Sequence, residues 1–279
     1  MTDRTRPNQI QPNQTQDSYE HLLVEDREGG VRIITLNRPE KFNSWNSKMR
    51  GEMRDAVETV ALDPSIRVLV FTGAGRAFSA GEDVSEMGDL TALGTRGFRA
   101  VARGIHSVFD LIESIEVPVV AAVNGVAAGG GFELALSCDF RVVSSDARFV
   151  MPEAKVGLIP GSGGCSRLVS HVGLGRAKEL VMLGRPIGAE TALSLGLATT
   201  VTEPGGAVEG AVALATEMMA YAPLALGMAK LVLNTCTDVD HETGRRLERL
   251  GQSVLKTTSD HAEGAAAFLA RRPPEWQGR

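Results

Sequence analysis

Short apolar runs alternate with longer amphipathic stretches from residue 18 to about residue 200. The apolar runs have the length and β-branched composition of strands, whereas the amphipathic stretches repeat their apolar residues with the period of a helix. The predicted strands cover 31–36, 67–73, 117–125 and 139–145, and the predicted helices cover 46–61, 103–115 and 129–137. The two strands that begin at residues 67 and 117 are almost continuously apolar, which is typical of parallel strands covered on both faces. The pattern predicts an α/β fold.

The pattern changes near Pro204, which is followed by two glycines. Beyond this point four helical stretches follow one another with no strand pattern between them. We therefore expect an α/β core over residues 18–204 and an all-helical region over residues 205–279. Residues 1–17 are polar and rich in Gln and Asn, and they bury too little apolar surface to offset the entropy of ordering. They are predicted to form a disordered polar tail.

Charge and cysteine content narrow the class of function. A net charge of -5 and a pI of about 5.6 argue against a protein whose main task is to neutralise nucleic-acid phosphates, so no nucleic-acid partner is expected. Cys138, Cys165 and Cys236 are widely spaced and match no disulfide or zinc-ligand pattern, which favours a reducing, cytoplasmic setting without a metal. No apolar run approaches the ~20 residues that a bilayer requires, so no membrane role is predicted.

Glycine-containing turns follow two of the predicted strands. They are GAGRAFSAGEDVSEM at 73–87 and NGVAAGGGFELALSCD at 124–139, and a third glycine-rich turn covers 161–164. Ligands bind at the carboxyl ends of strands in α/β sheets, so amides of the first two turns could converge on one oxygen as an oxyanion hole. The alternative is that these glycines only permit tight strand-to-helix turns. Neither turn has the GxGxxG or GK[ST] spacing of a nucleotide site.

Two acids lie close to these turns. Glu133 falls in the first turn of the predicted helix 129–137, where the helix dipole favours an anion. Glu153 follows Pro152 and precedes the third glycine-rich turn. Considered singly, the first has the simple interpretation of a helix-start acid and the second that of a surface loop acid. The local pattern leaves both roles open.

Four separated motifs, considered together, resemble the enoyl-CoA hydratase/isomerase family, the crotonases. They are NRPEKFNSWN, GRAFSAGEDVSEM, the segment from PVVAAVNG to LIPGSGG, and the closing EGAAAFLARRPPEWQGR. The resemblance covers residues 20–279 with order and spacing kept, and four agreeing motifs are far more specific than any one glycine turn. It implies a crotonase-like spiral of repeated strand-strand-helix units with a C-terminal all-helical trimerisation region. A homotrimer or homohexamer is therefore expected.

The resemblance also implies a site that binds an acyl-CoA thioester. The amides of Glu82 and Gly130 would hold the thioester oxygen, Glu133 would activate the attacking water, and Glu153 would give a proton to the α-carbon. Substrate and CoA binding carries over to five more positions, which are Lys41, Ala80, Asp83, Val84 and Gly161. Coenzyme A would enter as part of the substrate, and neither a further cofactor nor a metal is implied.

With both acids present, the resemblance implies a hydratase that converts a 2-enoyl-CoA reversibly to a 3-hydroxyacyl-CoA. Syn addition of water needs a base and an acid at once, which two carboxyl groups supply. A dehydratase, a double-bond isomerase and a CoA-thioester hydrolase are alternatives within the same family. A binding or scaffold protein that keeps the fold without the chemistry, with RNA as one partner, is the alternative from a different class.

The sequence departs from the family pattern at two positions. Glu82 stands where hydratases often have alanine, and a third acid near the site could alter acyl preference or neighbouring pKa values. Ser85 stands where some members carry a lysine that helps to hold the CoA phosphates. The cations that could replace it, or that could serve only as surface charge, are Arg38, Lys41, Arg76, Arg271 and Arg272. Met151, Val84 and Met87 could line the acyl pocket or belong to the core.

Overall fold

The computed structural model describes residues 19–86 and 92–279. The tail predicted over residues 1–17 and the pocket role considered for Met87 lie outside the described residues. The strands are β1 Leu22–Arg27, β2 Val31–Leu36, β3 Val68–Gly73, β4 Ala77–Ser79, β5 Val119–Val123, β6 Val126–Ala128, β7 Phe140–Ser144, β8 Arg148–Val150, β9 Ile187–Gly188 and β10 Thr200–Thr202. The helices are α1 Ser47–Leu62, α2 Gly94–Ser114, α3 Gly130–Ser137, α4 Gly164–Leu183, α5 Ala189–Ser194, α6 Ala207–Met218, α7 Pro223–Cys236, α8 His241–Leu255 and α9 Ser259–Ala270.

The strands form two sheets. The larger sheet has the order β1-β2-β3-β5-β7-β10, and the smaller one has the order β4-β6-β8-β9. Each of the successive pairs β3–β4, β5–β6 and β7–β8 gives its first strand to the larger sheet and its second to the smaller, and a helix follows each pair. The pairings along β2-β3-β5-β7-β10 and along β4-β6-β8 are parallel. This is the predicted spiral of strand-strand-helix units.

All four predicted strands are confirmed, and each belongs to the larger sheet. The strands of the smaller sheet were not predicted, because segments of two or three residues are too short to show an alternating pattern. The helix predicted over 103–115 begins earlier, at Gly94. Its first four residues, Gly-Thr-Arg-Gly, include two glycines and no large apolar side chain, so the start of the helix gives no helical pattern in the sequence.

The larger sheet is covered on both faces. Every residue of β3 and β5 is buried, as their continuous apolar composition predicted. On one face, side chains such as Val68, Val70 and Val120 pack against the alanines of α6. On the other face, Leu69 and Phe71 join the main core with the buried residues of α1, α2 and α3.

Helices α6 to α9 follow one another without an intervening strand, as predicted for the C-terminal part of the chain. The domain boundary at 204–205 stays a prediction, but α6 shares a core with the sheet that precedes it. Among the described residues, no single helix has the length and apolar composition to span a bilayer. Among these helices, only α6 and α7 taken together have that length and composition, and the pair is bent by 106° where they join.

Candidate active site

The two glycine-containing turns predicted to converge lie side by side. The segments at 73–87 and 124–139 follow β3 and β5 and contain β4 and β6, which are neighbouring parallel strands of the smaller sheet. Gly81 and Gly130 each lie just after one of these short strands. A methyl group on Gly81 would lie 2.8 Å from the backbone nitrogen of Gly130 and 2.9 Å from the carbonyl oxygen of Ala128. Gly81 also has a φ of +88°, a conformation that only glycine adopts readily. The glycine at this position therefore allows the two backbones to touch.

The segment around Trp45 fixes the direction of the Glu82 amide. Trp45 N donates to Gly81 O at 2.9 Å, and Asp83 N donates to Trp45 O at 3.0 Å, so the backbone groups on either side of Glu82 are taken. Trp45 and Glu82 thus form a parallel β-bridge in which the residues before and after Glu82 make both hydrogen bonds. The N–H of Glu82 itself therefore points away from the Trp45 segment. Within residues 19–86 and 92–279, the Glu82 N–H has no hydrogen-bond acceptor.

The Gly130 amide is the second free donor. Gly130 is the first residue of α3, and its N–H likewise has no acceptor in the part of the chain that the structure describes. Gly129, with a φ of +52°, turns the chain into the helix. The indole ring of Trp45 packs against the α-carbon of Gly130, so closely that a methyl group on Gly130 would overlap the ring. Two amides without acceptors thus lie in adjacent turns, and their convergence on one oxygen as an oxyanion hole stays a prediction.

Glu133 lies one helical turn beyond these amides and is 3% exposed. Its Oε1 atom accepts hydrogen bonds from Ser162 N at 2.7 Å and Gly164 N at 2.8 Å. Burial raises the pKa of Glu133, whereas those two amides and the charge of Arg167 lower it, and burial prevails. The third glycine-rich turn therefore serves to hold this carboxyl group.

Glu153 lies against Gly129, the residue that precedes α3. It begins the short 3-10 helix Glu153–Val156, directly after β8 and Pro152. A methyl group on Gly129 would lie 2.8 Å from Glu153 Oε1, and Glu153 Oε2 is buried without a hydrogen-bond partner among the described residues. Burial raises the pKa of Glu153, and the charge of Glu133 raises it further. The two carboxyl groups are therefore close enough to repel each other when both are ionised.

Arg167 supports the turn that holds Glu133. Its guanidinium group donates to Ser162 O at 2.6 Å and makes a two-pronged contact with Glu113 of α2, at 2.7 and 2.6 Å. A third contact reaches Asp110 at 3.1 Å. A chain of contacts thus runs from α2 through Arg167 to the turn at residues 162–164 and from there to Glu133.

The side chain of Glu82 contacts α1. Its Oε1 atom lies 3.2 Å from Arg50 NH1. Burial raises the pKa of Glu82, and Arg50 opposes this shift. The Glu82 charge is nevertheless near enough to contribute to the raised pKa of Glu133.

The remaining predicted binding residues surround these turns. Asp83 is buried, and its carboxylate accepts hydrogen bonds from Ser85 N, Ser85 Oγ and Arg38 NH2 at 3.1, 2.7 and 3.1 Å, which brace the turn. Ala80 donates its amide to Phe42 O at 2.9 Å. Val84 is 76% exposed, and Lys41 and Gly161 are also exposed. Contact of these residues with a substrate stays a prediction.

The cations considered as replacements for a lysine at position 85 differ in availability. Arg38 is held by Asp83 and by Ser44 O at 2.7 Å, and Arg272 is held by Glu263 at 2.6 and 2.8 Å. Arg76 is exposed and lies over the Phe42 ring, 4.4 Å from its centroid. Met151 is 1% exposed and belongs to the main core.

Three residues that build the site, Trp45, Arg50 and Arg167, were not among the predicted site residues. Arg167 gave a detectable signal, because a cation in the first turn of a helix opposes the helix dipole and needs acidic partners elsewhere. Trp45 and Arg50 gave none, since the contacts between them and the two turns arise only on folding. In the part of the chain that the structure describes, no group of three or more His, Cys, Asp or Glu side chains could hold a metal ion.

Residues 26–279 match the family described as Enoyl-CoA hydratase/isomerase. A short-chain-enoyl-CoA hydratase from Clostridium acetobutylicum is 36% identical over 91% of this chain and 96% of its own length. A 2,3-dehydroadipyl-CoA hydratase from Escherichia coli is 37% identical over 92% and 99%. A 1,2-epoxyphenylacetyl-CoA isomerase from the same organism is 36% identical over 92% and 99%. Relatives of different activity thus match equally well.

Solved structures agree with the observed architecture. An enoyl-CoA hydratase from Bacillus anthracis superposes with a TM-score of 0.88 at 33% identity, covering 93% of this chain and 100% of the other. One from a Polaromonas species gives 0.87 at 34% identity, covering 92% and 99%. The predicted crotonase-like fold is confirmed.

Proposed function

Because the chain belongs to the enoyl-CoA hydratase/isomerase family, we propose that it adds water reversibly across the double bond of a 2-enoyl-CoA to give a 3-hydroxyacyl-CoA. The observation that carries the proposal is the pair of carboxyl groups of buried Glu133 and half-buried Glu153, beside two backbone amides without acceptors among the described residues. Hydration needs one group to take a proton from water and another to give a proton to carbon. The named hydratases among the relatives support the same activity.

The thioester oxygen would accept hydrogen bonds from the amides of Glu82 and Gly130. Negative charge grows on this oxygen as the β-carbon is attacked, and fixed donors stabilise it without reorganisation. The dipole of α3, whose first residue is Gly130, favours the same charge. Removal of one such donor typically costs ~2.7–4 kcal/mol of transition-state stabilisation.

The environments of the two acids support different protonation states. Burial raises the pKa of Glu133, but the two amide hydrogen bonds on one of its oxygens and the charge of Arg167 oppose this shift and favour the ionised form that a base requires. Glu153 has a buried oxygen without a partner among the described residues, and the Glu133 charge raises its pKa, so it is the better proton carrier. Glu133 would take the water proton as hydroxide adds to the β-carbon, and Glu153 would give its proton to the α-carbon. Exchange with solvent then restores both groups.

A double-bond isomerase is the second candidate, since the matching family is described as Enoyl-CoA hydratase/isomerase. Isomerisation moves a proton between carbons and can proceed with one acid. The presence of a second carboxyl group, with a raised pKa, favours hydration.

The test is incubation of the purified protein with crotonyl-CoA and longer 2-enoyl-CoA esters in deuterated water, followed by mass spectrometry. Hydration adds one molecule of heavy water to at least one substrate. Incorporation of deuterium without added oxygen would indicate isomerisation, and release of free CoA would indicate thioester hydrolysis. Any of these outcomes without hydration contradicts the proposal.

A ligand-binding measurement separates an enzyme from a scaffold on the same fold. Acetoacetyl-CoA should raise the melting temperature, because a ligand that binds only the folded state stabilises it. A shift with RNA and none with CoA esters would favour the scaffold. Trimer or hexamer formation and a cytoplasmic location stay predictions.

A further inference from the structure

We propose that Arg50 is a positioning residue that neutralises the Glu82 carboxylate and so keeps the oxyanion hole receptive to negative charge. The inference rests on the proposed function, because it concerns the same two amides.

The Glu82 charge is tied to the hole by covalent geometry. A glutamate carboxylate lies within about 5 Å of its own amide nitrogen, and a bound oxyanion lies about 3 Å from that nitrogen. An unpaired Glu82 carboxylate would therefore repel the charge that forms in the transition state. Like charges at this separation interact strongly in a half-buried site, where water screens them little.

Arg50 is placed to cancel that charge. Its NH1 atom lies 3.2 Å from Glu82 Oε1, and its side chain is only 14% exposed. The guanidinium carbon is 5.7 Å from the centroid of the Trp45 ring, within cation–π range. The same ring packs against Gly130, the other residue of the hole. Arg50 thus contacts the Glu82 turn through an ion pair, and it is linked to the Gly130 turn through the Trp45 ring.

The second acid near Arg50 has other partners. Glu86 lies 3.8 Å from Arg50 NH2, but its carboxylate accepts hydrogen bonds from Ser47 N at 2.8 Å and Ser47 Oγ at 3.2 Å. It therefore caps the start of α1. The closer and less exposed carboxylate is that of Glu82, so Arg50 is matched to Glu82.

The test is a double-mutant cycle on acyl-CoA turnover with Arg50→Gln, Glu82→Gln and the double variant. Arg50→Gln should lower kcat roughly tenfold or more with little change in KM, because only the transition state carries the charge. In the Glu82→Gln background, the same change at Arg50 should cost less than about threefold. Arg50→Lys, which keeps the charge, should restore most of the loss. Lys48→Gln is the matched control. Lys48 lies in α1, as Arg50 does, and the substitution removes only its exposed ion pair with Glu20.

A readout without turnover keeps this inference separate from the proposed function. The enolate of acetoacetyl-CoA carries the relevant charge, and free CoA does not. Arg50→Gln should weaken enolate binding roughly tenfold, with CoA binding unchanged and with the loss relieved by Glu82→Gln. If wild type shows this cycle but hydrates nothing, the hydratase proposal fails and the role of Arg50 stands. Equal losses in both backgrounds, no loss in Arg50→Gln, or no binding of acetoacetyl-CoA by wild type would overturn the inference.

Discussion

The carboxyl group of Glu133 in α3 is held by the backbone amide of Gly164 at the start of α4, with 2.8 Å between oxygen and nitrogen. Ser162 donates a second amide to the same oxygen at 2.7 Å. The acid proposed as the base therefore takes its orientation from a turn that lies 31 residues further along the chain. Any change that loosens this turn should reach the chemistry.

Arg167 provides the first prediction. Arg167→Gln removes the guanidinium group whose hydrogen bonds join the turn at 162–164 to Glu113. Glu133, which that turn holds, should then lose its fixed orientation. We expect kcat to fall by roughly 10²-fold with a smaller change in KM, since a displacement of about 1 Å at a reacting group has that effect. The Arg167 charge also lowers the pKa of Glu133, so the acid limb of the pH profile should move upward in the variant.

Arg176→Gln is the matched control for that experiment. Arg176 lies in the same helix and pairs with Glu179 on the surface, at 2.6 Å. Its loss should leave kcat and the pH profile unchanged, because an exposed pair of this kind contributes little. Steady-state kinetics across pH and a thermal melt of each variant provide the measurements. Equal kinetics for wild type and Arg167→Gln would show that the turn does not orient Glu133.

Glu153 provides the second prediction, in which activity and stability move in opposite directions. Glu153→Gln should lower hydration by roughly 10² to 10⁴, the usual contribution of a general acid. The folded-state pKa of Glu153 lies above its ordinary value of 4.5, so the folded chain binds more protons than the unfolded chain between the two values. The free energy of unfolding therefore falls as the pH rises from 4.5 through the folded-state pKa. Glutamine carries no proton that titrates, so the Glu153→Gln variant does not lose this stability.

The variant Glu153→Gln should accordingly melt at a higher temperature than wild type at pH 7. This difference should shrink as the pH is lowered to 4.5, where wild type regains its proton. Thermal melts of both proteins at several pH values provide the measurement. Glu217→Gln, which changes an exposed glutamate of α6, reports the effect of the substitution itself. A gain that is the same at pH 4.5 and pH 7 would contradict the assigned pKa direction.

Gly130 and Trp45 provide the third prediction. Gly130→Ala places a methyl group against the Trp45 ring, so the backbone must shift at the proposed hole and hydration should fall by roughly 10²-fold or more. Trp45→Leu leaves room for that methyl group at the expense of buried aromatic surface. The double variant should therefore be more active than Gly130→Ala alone. Kinetics of the three variants test this, and additive losses would exclude steric coupling between the two side chains.

Lys230 provides the fourth prediction, which concerns the attachment of α7. Its ammonium group is buried and contacts Asp139 Oδ2 at 2.9 Å, Ile112 O at 2.8 Å and Val117 O at 3.1 Å. Lys230→Met leaves Asp139 as a buried acid without its cation, which should lower the free energy of unfolding by about 3–5 kcal/mol. Burial already raises the pKa of Asp139, and Lys230 is the main group that opposes this shift.

Urea unfolding of Lys230→Met and of Lys230→Met with Asp139→Asn provides the measurement. The second substitution removes the unpaired charge while it keeps an oxygen that can accept from Val119 N, a bond of 2.7 Å in the wild type. The double variant should thus be more stable than Lys230→Met alone. If it is less stable, the lysine acts mainly through its two carbonyl contacts.

The sequence by itself determined the α/β class, four of the six strands of the larger sheet (β2, β3, β5 and β7) and the helical C-terminal part. These elements have long apolar runs or clear helical periods, and both signals depend only on residues that are neighbours in the sequence. Four agreeing motifs also placed the chain in its family. Glu133 and Glu153 could be selected as candidates only through that resemblance, because each acid alone had a simple structural interpretation.

Only the tertiary structure decided how the site is held together. Strands of two or three residues in the smaller sheet bring the turns at Gly81 and Gly130 into contact, and such short segments leave no periodic signal. The contacts of Arg167 with Glu113 and of Arg50 with Glu82 join residues 54 and 32 positions apart. Contacts over such separations depend on packing, which no local pattern encodes. Glu82, unusual in the sequence, became interpretable once the structure showed the cation beside it.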